Sequence, residues 1–155
     1  MLALAIVAWF HTSIPRAAMA CGDTPAAAKR LRDRFMRQAR AWFTSKCKGV
    51  QSFDELMKLA PPGSDENASY RQVVTYWDTV ASFIASGILH KELFFQSGRE
   101  LLLVWERVKD FLPSLRETYK DPNHLKNLET VGTEFAAYLK AQGDSAYEAF
   151  LKRIK

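Results

Sequence analysis

At 155 residues the chain is expected to form one domain with a short appendage. Seven Gly and six Pro are too few for a β-sandwich or a disordered chain, and two cysteines do not make a disulfide framework. A chain of this length buries roughly 70% of the surface that its unfolded form exposes, so neither a disulfide nor a metal is needed to hold it.

The net charge of +5 comes from the first third of the chain. Residues 1–60 carry ten Lys and Arg against four Asp and Glu, whereas residues 61–155 carry twelve against thirteen. Such an asymmetry indicates a local role for the positive charge, since a uniformly basic protein would spread it over the whole chain.

An apolar segment, residues 1–20, opens the chain. Its first ten residues are wholly apolar, which falls short of the ~20 that a membrane-spanning helix needs. Four interpretations are open: a membrane anchor, a signal peptide cleaved after Ala18-Met19-Ala20, a lipoprotein signal acylated at Cys21, and a packed N-terminal helix.

The charges that follow the apolar segment favour the anchor. Positive residues just after an apolar segment are held on the cytoplasmic side, and a signal peptide has the opposite polarity. The predicted location is therefore the cytoplasmic membrane with the domain on its cytoplasmic side, and the alternative is periplasmic or secreted. The membrane-proximal basic residues are Arg16, Lys29, Arg30, Arg34, Arg37 and Arg40.

Residues 24–59 are predicted to form a basic amphipathic helix and a short second helix. The first begins with Thr24-Pro25 as cap and first turn, and it ends before Gly49. Its apolar residues share one side and its arginines the other, which suits either a solvated surface or anionic lipid headgroups. Nucleic acid is not favoured as a partner, because no binding motif accompanies the charge.

The turn at residues 60–66 separates this basic region from a helical bundle predicted over residues 67–155. A clean helical stripe runs from about residue 67 to residue 86, and Gly87 suits the left-handed stop. Residues 90–112 are apolar over most of the helical circumference, which predicts a central helix enclosed by others. With the preceding helix it would form an antiparallel hairpin over 67–112.

Three helix-breaking signals, at Gly98, Pro113 and Asp121-Pro122, divide the rest of the bundle. Gly98 predicts either the close approach of a neighbouring helix or a kink, and Pro113 ends or bends the central helix. Asp121-Pro122 predicts the start of the next helix, whose buried side carries Leu125, Leu128, Gly132, Phe135, Ala136 and Leu139. No stretch alternates as a strand does, so the predicted fold class is all-α, an irregular helical bundle.

A pattern of helix-packing residues runs from residue 73 to residue 134: Tyr76-Trp77, Val80-Ala81, Gly87-Ile88, Glu100, Trp105, Arg116 and Asn127-Leu128-Glu129. In this pattern the chain resembles a group of bacterial proteins classed as a domain of unknown function. The resemblance implies a small helical domain behind an N-terminal membrane segment, and it implies no activity, substrate or catalytic residue.

One constellation is predicted to be structural: a clasp of Arg116 with Glu129 and Glu100, since a charge facing the bundle needs a partner. The sequence has no metal-ligand spacing, no phosphate-binding glycine loop and no nucleophile motif, so no metal, cofactor or catalytic residue is predicted. The predicted function is a non-enzymatic, membrane-tethered interaction domain that contacts lipid and a protein partner. The alternatives are an exported binding module that has lost residues 1–20 and, third, an enzyme of unknown reaction.

Overall fold

A computed structural model describes residues 25–154 of the chain, and over that range it is helical and contains no strand. The all-α prediction is confirmed for this part. Residues 1–20, together with the predicted cap Thr24, lie outside the described residues. The helices are α1 (Pro25–Lys46), α2 (Phe53–Leu59), α3 (Asp65–Ala85), α4 (Lys91–Ser97), α5 (Arg99–Val108), α6 (Leu112–Tyr119), α7 (Lys126–Ala141) and α8 (Asp144–Ile154).

The described part of the chain divides into two units between Phe35 and Met36, and the segments before and after this point are called the first and the second unit. This boundary falls within α1, whereas the sequence suggested a separation at the turn 60–66. Leu56 and Ala60, on the N-terminal side of this turn, are fully buried. The side-chain amide of Asn67 also donates to the carbonyl oxygen of Ala60 at 3.2 Å, which fastens α3 to the end of α2.

The stretch predicted as one central helix over 90–112 is divided, and this corrects the prediction. Gly98 leaves the helical conformation at φ −77° and ψ 34°, and the turn at residues 109–111 separates α5 from α6. The ring of Phe94 lies so close to Gly98 that a Cβ there would be 2.8 Å from its Cδ1 atom. The kink is therefore the correct alternative at Gly98, and the close neighbour is the preceding turn. Pro113 lies in the first turn of α6, which it begins.

Helix α7 packs against α3, α5 and α8, so it lies at the centre of the second unit. Gly132 lets the ring of Trp105 approach its backbone, and Arg99 lies over the ring of Phe135 at 6.0 Å. Because the earlier residue of α5 meets the later residue of α7, these two helices run antiparallel. The predicted stripe of α7 is confirmed: Leu125, Leu128, Gly132, Phe135, Ala136 and Leu139 are all buried.

Helix α3 runs parallel to α7, because its contacts advance in the same direction along both helices. Asp78 accepts a hydrogen bond from the backbone of Leu128, and Ile84 lines a groove together with Glu134. It follows that α3 and α5 are antiparallel, as the predicted hairpin requires.

The start of α7 differs from the prediction. Asp121 Oδ1 accepts a hydrogen bond from the backbone N–H of Asn123 at 2.9 Å, which makes a turn and not a helix cap. Leu125 then adopts a left-handed conformation at φ 53°, and regular helix begins at Lys126. The side chain of Leu125 is buried, so tertiary packing has placed the helix start four residues beyond Pro122.

Candidate functional site

The basic helix α1 is the most strongly charged surface in the described chain. Between Pro25 and Lys46 it carries seven Lys and Arg against the single acidic residue Asp33. In the first unit Lys29, Arg30 and Arg34 are exposed, and in the second unit Arg37 and Arg40 are exposed. Arg16, the sixth predicted basic residue, lies outside the described residues.

One of these arginines is engaged with the bundle. Arg40 donates from Nε to Glu100 Oε1 at 2.6 Å, and its Nη2 bonds the second carboxylate oxygen, so the pair is bidentate. Glu100 is therefore not part of the Arg116 clasp, and this corrects the prediction. The partner is sixty residues away in the sequence, and no local spacing indicates it. The bond fixes the C-terminal half of α1 to the first turn of α5.

Arg116 and Glu129 are brought together as the sequence suggested. Arg116 Nη2 donates to Glu129 Oε2 at 2.9 Å, and Arg116 Nε donates to the carbonyl oxygen of His124 at 3.0 Å. The guanidinium thus bridges two acceptors, one carboxylate and one backbone carbonyl group. The hydrogen bond from Arg116 lowers the pKa of Glu129, and Lys126 adds to the effect from 3.6 Å. The pair ties α6 to the beginning of α7.

Asp78 contributes a polar contact between α3 and α7 that sequence reasoning missed. Its carboxylate accepts from the backbone N–H of Leu128 at 2.8 Å and lies 3.5 Å from Asn127 Nδ2. The residue at the usual cap position, Leu125, has no side chain that can cap. Asp78 therefore supplies the cap of α7 from another helix, and nothing in the local sequence around α7 predicts this.

A second missed group is the dipeptide Glu106-Arg107 at the end of α5. Glu106 is 8% exposed, and it accepts from Tyr147 Oη at 2.6 Å and pairs with Lys109 Nζ at 2.7 Å. Burial first, and then the bond to Glu106, raises the pKa of the Tyr147 phenol. Arg107 donates to backbone carbonyl groups of α1 and α8. Both side chains therefore hold helices to α5, and Glu106 is satisfied on both sides.

An exposed aliphatic patch lies at the connection between α3 and α4. It consists of Ile88, Leu89 and Leu93, and Ile88 is 72% exposed. A groove of about 390 Å³ adjoins the patch. Its charged rim is paired internally, since Lys91 bonds Glu134 at 3.2 Å. The patch is apolar without a net charge of its own.

Two further titratable residues, Cys47 and His124, lie in surroundings that indicate a structural role. Cys47 is buried, and burial raises the pKa of its thiol to about 12, so the thiol is protonated and unreactive at neutral pH. Burial also lowers the pKa of His124. Within residues 25–154 no three His, Cys, Asp or Glu side chains come together as a metal-binding group.

The described residues 25–154 are all-helical, and they begin with the basic helix α1. The chain belongs to the family DUF4760, a domain of unknown function, whose model matches residues 1–135. The predicted resemblance is confirmed at that level, and the match is wider than the stretch 73–134 that carried it. A search of curated proteins and a search of solved structures found no match.

Several residues of the pattern on which the resemblance was based make contacts between helices. Leu128 receives the cap from Asp78, Glu129 holds Arg116, and Trp105 packs on Gly132. These residues hold helices to one another, so the pattern reads as a packing signature. No helix among the described residues is long and apolar enough to cross a bilayer.

Proposed function

We propose that this chain is a non-enzymatic interaction domain, held at the cytoplasmic face of a membrane by its basic helix. The observation that carries the proposal is the concentration of charge on α1. The helix has a net charge of +6, seven basic residues less one acidic, while the whole chain has +5, so all other residues together have −1. Positive charge is therefore displayed on one helix.

Anionic lipid is the partner that suits this helix best. A juxtamembrane basic residue contributes about 1 kcal/mol of attraction to an anionic leaflet. Four exposed basic side chains of α1, Lys29, Arg30, Arg34 and Arg37, form no ion pair within the described chain. Arg40 is partly neutralised by Glu100, so it contributes less.

The apolar run at residues 1–10 supplies the second signal. One weak signal gives only marginal, reversible membrane binding, and two together give stable attachment. In the sequence this run precedes the basic helix, with residues 11–24 between them, and this order favours a cytoplasmic domain. The aliphatic patch Ile88, Leu89 and Leu93 supports a protein-binding role for the bundle, since exposed apolar residues grouped in this way are typical of interaction surfaces.

Sedimentation of the purified full chain with lipid vesicles tests the proposal. Vesicles that contain phosphatidylglycerol should bind the chain, and phosphatidylcholine vesicles should bind it less. Added salt should weaken the binding, because salt screens the charges. The variant Arg30→Glu/Arg34→Glu/Arg37→Glu should lose roughly a hundredfold or more in partition coefficient, at about 1 kcal/mol for each basic residue removed.

The matched control carries the same change of net charge elsewhere. Lys58→Glu/Arg71→Glu/Lys152→Glu replaces three exposed basic residues on α2, α3 and α8. It should bind vesicles nearly as the original chain does. Equal losses in the two triple variants would show that net charge alone drives the binding, and the role of α1 would then be rejected.

The exported binding module is the second candidate, favoured by Ala18-Met19-Ala20 ahead of Cys21. The mass of the natively expressed protein separates the two. A mass that corresponds to residues 1–155 supports the membrane-tethered domain, whereas a mass that corresponds to residues 21–155 rejects it.

A further inference from the structure

Arg107 lies between the C-terminal ends of two helices that are far apart in the sequence. Its Nη1 donates to the carbonyl oxygens of Phe43 and Thr44 in α1, at 2.7 and 2.9 Å. Its Nη2 donates to the carbonyl oxygen of Ile154 in α8 at 3.0 Å. All three acceptors lie in a last helical turn, where most carbonyl groups lack a backbone partner, although the Phe43 carbonyl also accepts from the backbone N–H of Cys47 at 3.2 Å.

Among the described residues, the groups that face the charge of Arg107 are the carbonyl groups of these helix ends. Within the described residues no Asp or Glu oxygen lies within ion-pair distance of its guanidinium. A helix C-terminus carries roughly half a negative charge, so two of them together match one guanidinium. The cation also lies 5.8 Å from the ring centroid of Phe43, and burial lowers its pKa. Each helix end therefore supplies part of what stabilises this half-buried cation.

Helix α8 is docked by the neighbouring residue as well. Tyr147 bonds Glu106 at 2.6 Å, and the side chains of Tyr147, Phe150 and Ile154 are buried. The family match ends at residue 135, so α8 lies wholly beyond the matched region. This chain thus closes the site of Arg107 with a helix that the family description does not include.

From this geometry we infer that α8 is a latch, which holds the last turn of the basic helix α1 in place through Arg107. When α8 is docked, Nη2 is fixed on Ile154 and the guanidinium is shielded, so its bonds to Phe43 and Thr44 are strong. When α8 leaves, water reaches the guanidinium and competes for the same donors. The coupling is reciprocal. Docking of α8 favours the position of Arg107 that binds the end of α1, and binding of Arg107 to α1 favours the position that binds α8.

The latch concerns the chain's own helices and does not depend on lipid binding by α1. A partner that captured the apolar side of α8 would loosen the end of α1, and a partner that rigidified α1 would favour α8 docking. The inference and the proposed function can therefore fail separately.

Hydrogen–deuterium exchange of the full chain tests the latch in the absence of lipid. The variant Phe150→Ala/Ile154→Ala weakens α8 docking, while α1, Arg107 and the backbone carbonyl group of residue 154 keep their chemistry. It should speed exchange of the backbone amides in the last turn of α1, around Cys47, by about tenfold, although no substitution lies there. The control Leu115→Ala removes apolar bulk from α6. It should leave the ratio of the exchange rates in the last turn of α1 and in α8 unchanged.

A second variant, Arg107→Met, keeps the aliphatic stem and removes the guanidinium. It should speed exchange in the last turns of both α1 and α8. Tyr147→Phe, which deletes one hydroxyl group, repeats the α8 test in a milder form if circular dichroism shows that the double variant is unfolded. Faster exchange in α8 with the rate of the original chain in α1 would overturn the latch, and so would an Arg107→Met variant that loosens only one of the two helices.

Discussion

The carboxylate of Asp78 on α3 accepts a hydrogen bond of 2.8 Å from the backbone N–H of Leu128 in the first turn of α7. A helix N-terminus leaves such N–H groups without partners, and a carboxylate also matches the positive end of the helix dipole. We expect Asp78→Ala to lower the free energy of unfolding by about 1 kcal/mol, as the loss of a cap does elsewhere. Urea denaturation of the two chains measures the difference.

The control for this prediction is Asp78→Asn, which keeps an oxygen acceptor at the same place and removes the charge. It should retain more stability than the alanine variant. If Asp78→Ala unfolds at the same urea concentration as the original chain, the cap supplied from α3 has no energetic role.

The Arg116 bridge is expected to stabilise the join of α6 to α7. The side chain of Arg116 is 19% exposed, and its guanidinium donates to both Glu129 and the carbonyl oxygen of His124. Arg116→Ala should cost about 2 kcal/mol, because it leaves a charged hydrogen-bond partner and a carbonyl group unsatisfied. Arg116→Lys should recover only part of the lost stability, because a single ammonium group does not reproduce the two hydrogen bonds that the guanidinium donates to Glu129 and to the carbonyl oxygen of His124. Thermal melting that shows no decrease in Tm for Arg116→Ala would remove the bridge from the account.

Acid stability should depend on the same pair. The hydrogen bond from Arg116 lowers the pKa of Glu129 below its ordinary value. The contribution of the pair is therefore complete above the unfolded-state pKa of glutamate, and it is lost as pH falls through the folded-state pKa. Acid titration followed by circular dichroism should show less pH dependence between about pH 5 and pH 3 in Arg116→Ala than in the original chain. Identical profiles in the two chains would contradict this reasoning.

Gly132 is predicted to tolerate no side chain. A Cβ at this position would lie 2.7 Å from the Cβ of Trp105, and the tryptophan is itself enclosed in the core. Gly132→Ala should therefore destabilise the fold by about 2 kcal/mol, despite the better helix propensity of alanine. Gly63→Ala cannot serve as the control, because the positive φ of Gly63 would strain any side chain. The control is Ala137→Ser, on the exposed side of α7. A Gly132→Ala chain that is as stable as the original would show that α5 and α7 can separate easily.

Much of the architecture follows from residue periodicity. Leu101, Trp105 and Val108 are buried, as expected for a segment enclosed by other helices, and the buried side predicted for α7 is correct at every position. The pairing of Arg116 with Glu129 was within reach because Glu129 lies on the next helix along the chain. Glu100 was assigned wrongly, since its true partner Arg40 lies on α1, and helical spacing says nothing about which helices become neighbours.

The backbone acceptors were out of reach for a different reason. Arg107 binds the carbonyl groups of Phe43, Thr44 and Ile154, and every residue carries such a group, so no residue type marks the site. The break at Gly98 depends on where the ring of Phe94 settles, which is a tertiary choice. Sequence periodicity thus predicts which side of a helix is buried, whereas the contacts that join helix ends become visible only in three dimensions.

Fractionation of cells that express the intact chain tests the central claim most directly. At low salt the original chain should sediment with membranes, and the variant Arg30→Glu/Arg34→Glu/Arg37→Glu should shift to the soluble fraction while the Lys58→Glu/Arg71→Glu/Lys152→Glu control does not. Recovery of the intact original chain solely in the soluble fraction, at low salt and with residues 1–20 still present by mass, would contradict membrane attachment through α1.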